Sequence, residues 1–307
     1  MQTQRNARCV FRHCRWRACE ALIEGMVSSS PRTAFRWVRW IWVVVLACPL
    51  VVCAGDEPLR VVFVGNSHTY SNDLPALFRA LVHSQNPRRE VVAEAFVMPG
   101  GYLNERWREG VVQQYLKSNP VDVLVLQEAG GWLRCADHAS LRTTFACTDS
   151  LRTHKRYAQF AAGLGIRTVI FGTWGNDARE QASISRVLRR LSKAVNAVPA
   201  DTGEAITQLR RLDPQRPMFI DSMLHPTPEV SMLAAIMIYA AIKGWLPEAG
   251  AVAIEQPLIA LNARPDARLP LSMQYSTLPR RTSAGFSAET MATLRRAAEL
   301  ALATHAR

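Results

Sequence analysis

Beyond residue 55, short apolar runs alternate with stretches whose apolar side chains recur every three or four positions. "RVVFVG" (60–65) reads as a buried strand. "DLPALFRALVHSQ" reads as a helix opened by Asp73 with Pro75 in its first turn. "EVVAEAFVMPGG" is a second strand ending in a glycine pair, and "NERWREGVVQQYLKS" a helix. The β-branched "VDVLVLQ" (121–127) is a third strand, followed by a helix near 150–163 and a fourth strand, "RTVIFGTW" (167–174). Ile184, Val187, Leu188, Leu191 and Val195 share one face of the next helix. "RPMFIDS" is a weaker fifth strand, and "EVSMLAAIMIYAAIKG" a largely apolar helix closed by Gly244. Residues 246–284 are Pro-rich and irregular. A last helix from near Ser287 sets Met291, Leu294, Ala298 and Ala301 on one side.

Strands that alternate with helices imply right-handed crossovers, hence a three-layer α/β sandwich around a parallel sheet of about five strands. Ligands of such sheets bind outside the carboxyl ends of the strands. That rim collects Asn66 and Ser67, then Gly100 and Gly101, then Gln127, then Trp174 and Asn176. A hydroxyl, two glycines that free backbone N–H groups and side-chain amides are what acyl transfer requires.

The net charge of +12 changes this picture little. Residues 1–54 hold eight Arg against Glu20 and Glu24, and the remaining +6 is scattered without a basic-aromatic stripe, so no nucleic-acid partner is expected. "PRTAFRWVRW" followed by "IWVVVLACPLVVCA" has the charge and apolar length of an export signal, too short for a membrane span. The expected organisation is therefore an N-terminal extension with a signal peptide over 1–54, with translation starting at Met26, and one domain over 55–307. The product is then periplasmic or secreted. A lipid anchor at Cys48 ("VLAC") or Cys53 stays open, and membrane contact is expected only through this segment. Cys135 and Cys147 bracket a polar insertion, and an even pair in an exported chain reads as a disulfide. A metal there has only His138 to add.

Competing motifs are missing. "GNSHT" lacks the second glycine of a G-x-S-x-G elbow, no P-loop occurs, and "GLG" (163–165) sits between helix and strand, the reverse of the dinucleotide-binding order. "VFVGNSHTYSNDLP", "PGGYLNERW", "VDVLVLQEAG" and "DSMLHPTPEVSMLAA" resemble, in order, the four motif blocks of the SGNH (GDSL-type) hydrolase superfamily. They look closest to its subgroup with Gly-Asn-Ser in the first block. The resemblance spans roughly residues 60–243 and implies a flavodoxin-like sheet and a serine esterase needing no metal or organic cofactor. Carried over, Ser67 is the nucleophile, and its own N–H is one oxyanion donor. Gly101 (or Gly100) supplies another, Gln127 stands where many relatives place a donor Asn, and His225 is the general base.

Two positions depart from the pattern. The acid usually lies three residues before the His, which here is Ser222, whereas Asp221 lies four before; and Val230 stands where a Gly is usual. Asp221 reaches His225 only if the loop bulges by one residue; otherwise a backbone carbonyl orients the ring. Gly100, Asn66 and Trp174 are the remaining candidates for substrate contact, Asn66 equally as a turn-shaping residue. Glu128 is either an orienting group or a solvated strand end, and His68, His83, His138, His154 and His305 read as structural or surface. The expected activity is hydrolysis of an acyl ester, on a small molecule or a glycan or envelope component. The alternative is a lapsed SGNH-fold domain that binds a glycan or lipid. A flavin-binding module on the same sheet lacks a Ser/Thr-rich phosphate cradle. The acyl and alcohol parts and the oligomeric state are not specified.

Overall fold

The computed structural model describes residues 57–305. The export signal, the Met26 start and the anchor candidates Cys48 and Cys53 lie outside the described residues. Five strands form one parallel sheet: β1 (Leu59–Gly65), β2 (Val91–Val97), β3 (Val123–Gln127), β4 (Arg167–Gly172) and β5 (Val198–Asp201), in the order β2-β1-β3-β4-β5. This is the flavodoxin-like order, whose chain reverses direction between β1 and β3, and the crevice beyond those two strands is where ligands of such sheets sit.

Alternation along each strand builds two cores. Val61, Phe63, Val123, Val125, Val169 and Phe171 face one way. They meet helices α2 (Leu74–Gln85), α7 (Thr202–Leu212), α8 (Pro228–Lys243) and α9 (Ala288–His305). Val62, Val64, Leu124 and Leu126 face the other way, onto α3 (Leu103–Glu109), α4 (Val111–Ser118) and α5 (Phe145–Gly163). Ile170 meets α6 (Ala178–Ala194) through Ile184, Val187 and Leu188. Strands buried on both faces read as continuous apolar runs, which is why β1 to β4 fall where the sequence predicts them.

Two expectations are corrected. The fifth strand is not "RPMFIDS", which contributes only an isolated bridge between Phe219 and Pro226. It is the four-residue "VPAD", with Pro199 beside Ile170. A proline lacks the ladder N–H, so this strand is tolerated only at the sheet edge and carries no apolar signature. The stretch after β2 is two helices, because Gly110 takes φ +72° between α3 and α4. The irregular 246–284 segment leads to a two-stranded ribbon, β6 (Val252–Ala253) with β7 (Gly285–Phe286).

Cys135, in a 3₁₀ turn at Trp132–Asp137, is disulfide-bonded to Cys147 in the first turn of α5, and both are fully buried. The bond closes a loop of sequence separation 12. Constraining a loop of that length in the unfolded chain is worth about 3 kcal/mol. Replacing both cysteines by serine is expected to lower unfolding free energy by roughly 2–3 kcal/mol in urea titrations; an unchanged midpoint would mean that the surrounding packing alone fixes the loop.

Candidate active site

Gly65 ends β1, and a Cβ there would overlap the Gln127 carboxamide and the Thr69 hydroxyl. The bare backbone lets Gln127 reach across from β3. Its Oε1 accepts from the Asn66 N–H at 2.9 Å and from the Thr69 hydroxyl at 2.9 Å. Asn66 caps the short α1 (Ser67–Tyr70), its Oδ1 accepting from the His68 N–H. Ser67 therefore sits at the first position of a helix, where backbone N–H groups have no intrahelical acceptor.

The Ser67 hydroxyl donates to His225 Nε2 at 2.9 Å, and His225 Nδ1–H donates to Asp221 Oδ2 at 2.7 Å. A carboxylate only accepts, so Asp221 fixes the Nδ1–H tautomer and leaves Nε2 as the acceptor for Ser67. Burial works to raise the Asp221 pKa. Hydrogen bonds from the His225 backbone and ring, the His225 charge and the Met223 N–H outweigh it, and the carboxyl stays below its ordinary range. The extra residue between acid and base is absorbed by Leu224, whose φ is +60°. Its N–H donates to the Asp221 carbonyl at 3.2 Å, closing a turn that swings Asp221 under the imidazole, while Ser222 is left exposed.

Several expected roles are corrected. Gln127 is not aimed at the cleft: Oε1 is engaged by Asn66 and Thr69, and Nε2 donates to the Glu128 carbonyl. The Gly101 N–H is not free, because it donates to the Met98 carbonyl at 3.1 Å. That bond closes a turn with Pro99 and Gly100 at its corner, and Gly100, at φ +67°, is exposed in the cleft. Asn66 touches protein only, its Nδ2 donating to the Gly101 carbonyl at 3.0 Å. Trp174 is 3% exposed and turned away from the cleft. Its indole N–H donates to the Leu224 carbonyl at 3.0 Å, and it meets the His68 ring edge-on at 4.9 Å. Glu128 is the orienting group: Oε1 accepts from the Leu103 and Ala129 N–H groups, and Oε2 from the Ser150 hydroxyl.

His68 is the residue that sequence reasoning passed over. It stacks on His225 with ring centroids 5.5 Å apart, and its Nδ1 lies 3.3 Å from Asn66 Oδ1. Its position directly after the serine in "GNSHT" was the available signal. The cleft above Ser67 has a volume of about 750 Å³. Its lining includes Tyr70, Gly100, Ile220, Met223, Asn262, Arg264 and Arg281. Among the described residues no cluster of three His, Cys, Asp or Glu side chains is placed to hold a metal ion.

No family model matches the chain, and no curated protein does. Solved structures do. A candidate SGNH hydrolase from Slackia heliotrinireducens is similar at 21% identity and TM-score 0.48, over 60% of this chain and 99% of its own. An acetylxylan esterase from Geobacillus stearothermophilus is similar at 13% identity and TM-score 0.48, over 62% and 96%. An alpha/beta hydrolase from the metagenome of Lake Arreo, Spain, is similar at 16% identity and TM-score 0.46, over 61% and 95%. At these identities the assignment of chemistry rests on the chain's own residues.

Burial, and after it the charge of His225, lowers the His68 pKa to about 4. Unfolded chain therefore binds this proton first, and stability is lost as pH falls from 6.5 towards 4. Asp73 acts the other way. Burial raises its carboxyl to about 6, so the folded chain gains its proton first over the same fall. In urea titrations at pH 7 and pH 5, His68→Gln is expected to remove about 2 kcal/mol of acid-dependent loss from the wild-type difference. Equal differences in the two proteins would show that His68 takes up its proton in the folded state.

Proposed function

We propose that the chain is a serine ester hydrolase of the SGNH type, acting on an acyl ester of a carbohydrate or envelope component. The observation that carries this reading is the unbroken hydrogen-bonded line Ser67–His225–Asp221 at the carboxyl edge of the sheet. Ser67 Oγ attacks the ester carbonyl while His225 Nε2 takes its proton, and Asp221 stabilises the imidazolium. The carbonyl oxygen turns negative against the N–H groups of Ser67 and Gly100. His225 then returns the proton to the leaving alcohol, and a water repeats the sequence to release the acid and restore Ser67. The basic and apolar N-terminal pattern supports export, and the Cys135–Cys147 disulfide is in keeping with an oxidising compartment.

Hydrolysis of 4-nitrophenyl acetate by the full chain tests the reading. Ser67→Ala is expected to lower kcat at least about 10³-fold and to abolish labelling by a fluorophosphonate. Asp221→Asn is expected to lower kcat roughly 10²- to 10⁴-fold with labelling slowed; the upper figure is the loss that the same change causes in serine proteases. A wild type no faster than Ser67→Ala, and unlabelled, would leave a binding domain. Trp174→Phe keeps the ring and removes the N–H on Leu224. It is expected to cut kcat about fivefold with little change in KM, the loss of roughly 1 kcal/mol of loop positioning. An unchanged kcat would show that the left-handed turn holds without it.

A further inference from the structure

We infer that the preferred ester carries an oxyanion group, a carboxylate or a phosphate, on its alcohol part, and that Arg264 and Arg281 recognise it. This deepens the esterase reading above and rests on it. Both arginines are exposed and line the Ser67 cleft. Arg106, Arg108, Arg134, Arg186, Arg190 and Arg216 each pair with a carboxylate; among the described residues neither Arg264 nor Arg281 does. Arg281 Nη1 donates to Asn72 Oδ1 at 3.1 Å, and Arg264 Nη1 to the Ala263 carbonyl at 3.1 Å. Neutral acceptors hold the two guanidinium groups in place and leave their charge uncompensated. The remaining N–H donors form the planar fork that fits a carboxylate or phosphate.

Among the described residues the only acidic side chain lining this cleft is Asp221, already engaged by His225. Across residues 260–281 the wall carries Arg264, Arg268, Arg280 and Arg281 against Asp266 alone. Such a predominantly positive segment raises the local concentration of an anionic substrate and penalises a cationic one. Shape adds a second constraint. Arg264 and Asn262 also border a neighbouring depression of about 520 Å³, which runs on towards Leu269 and Met273. Both depressions are open to solvent, whereas a long acyl chain calls for a closed apolar pocket. The extended, charged part of the ligand is therefore the alcohol, with the acyl group small and close to Gly100. Met223, 74% exposed and in the lining of the same cleft, offers apolar surface for a sugar ring.

The test uses the full chain and three mono-acetylated methyl glucosides that differ at one carbon, carrying a hydroxyl, a carboxylate or a phosphate. At about 20 mM NaCl, one charged ester is expected to show kcat/KM about tenfold above the neutral one, chiefly through KM. At about 0.5 M NaCl the ratio should fall below about threefold. Which charged ester leads distinguishes carboxylate from phosphate. Arg264→Gln and Arg281→Gln are each expected to cut the charged-to-neutral ratio by about threefold or more. Arg296→Gln, remote on α9, should leave that ratio unchanged. Equal kcat/KM for the three esters, or a ratio unmoved by both cleft substitutions, overturns the inference while leaving the esterase intact. Failure of all three esters together with no fluorophosphonate adduct at Ser67 overturns the esterase reading, and this inference with it.

Discussion

Leu224 holds a left-handed backbone conformation, φ +60°, and the geometry of the cleft depends on it. For a residue with a Cβ this costs about 1–2 kcal/mol. Two hydrogen bonds meet at the same residue: its N–H donates to the Asp221 carbonyl, and its carbonyl accepts from the Trp174 indole. Each contributes about 1 kcal/mol net, so together they offset the strain. Glycine would relieve the dihedral but lose the Leu224 side chain, which packs against the larger core. The outcome is an acid four residues before its histidine that still presents one oxygen to Nδ1 at 2.7 Å and the other to the His225 N–H at 3.1 Å.

Charge imposes a second constraint. His68 lies 5.5 Å from His225, ring on ring. Were both protonated, their repulsion would be about 3 kcal/mol at an effective dielectric constant of 20. Burial keeps His68 neutral, so in the proposed reaction it would support His225 by shape without opposing an imidazolium. Gly130 makes that packing available, since a Cβ there would stand 2.6 Å from the His68 ring. The polar residues around Ser67 are thus consumed in holding it: Gln127 in the turn, Asn66 on Gly101, Trp174 on Leu224. In the proposed reaction that leaves backbone N–H groups as the donors for a developing oxyanion.

What was legible in the sequence follows from the same physics. β1 to β4 are buried on both faces and so appear as apolar runs; the serine and the glycine turn follow β1 and β2, while His225 shows as a His-Pro pair just before α8. β5 was illegible because an edge strand of four residues with a proline has no pattern to read. The one-residue offset at Asp221 was visible as a mismatch, but its resolution lay in a dihedral angle and in an indole 50 residues away. Gln127 shows the limit most clearly. Its amide can donate or accept, and only the arrival of the Asn66 N–H and Thr69 hydroxyl at one oxygen decides which.

Ser67 and His225 lie 158 residues apart in sequence, Arg264 and Arg281 lie further along the chain still, and one buried side chain joins the three segments. Asn72, at φ +62° just after α1, donates from Nδ2 to the Pro226 carbonyl at 2.8 Å and to the Ser231 hydroxyl at 3.0 Å. Its Oδ1 accepts from Arg281, and its N–H donates to the Ile259 carbonyl at 3.1 Å. Both Nδ2 hydrogens, Oδ1 and the backbone N–H are engaged, so asparagine is favoured at this point: aspartate would lose both Nδ2 donors and bury a charge beside Asp73. The left-handed backbone also suits it, since Asn tolerates that region better than most residues. Through Asn72 the irregular 246–284 segment, which on sequence grounds has no reason to hold a shape, is registered against the residue that follows His225. The arginines and the Ser67–His225 pair are thereby tied to the same end of β1, so on the proposed reading a shift in one displaces the other.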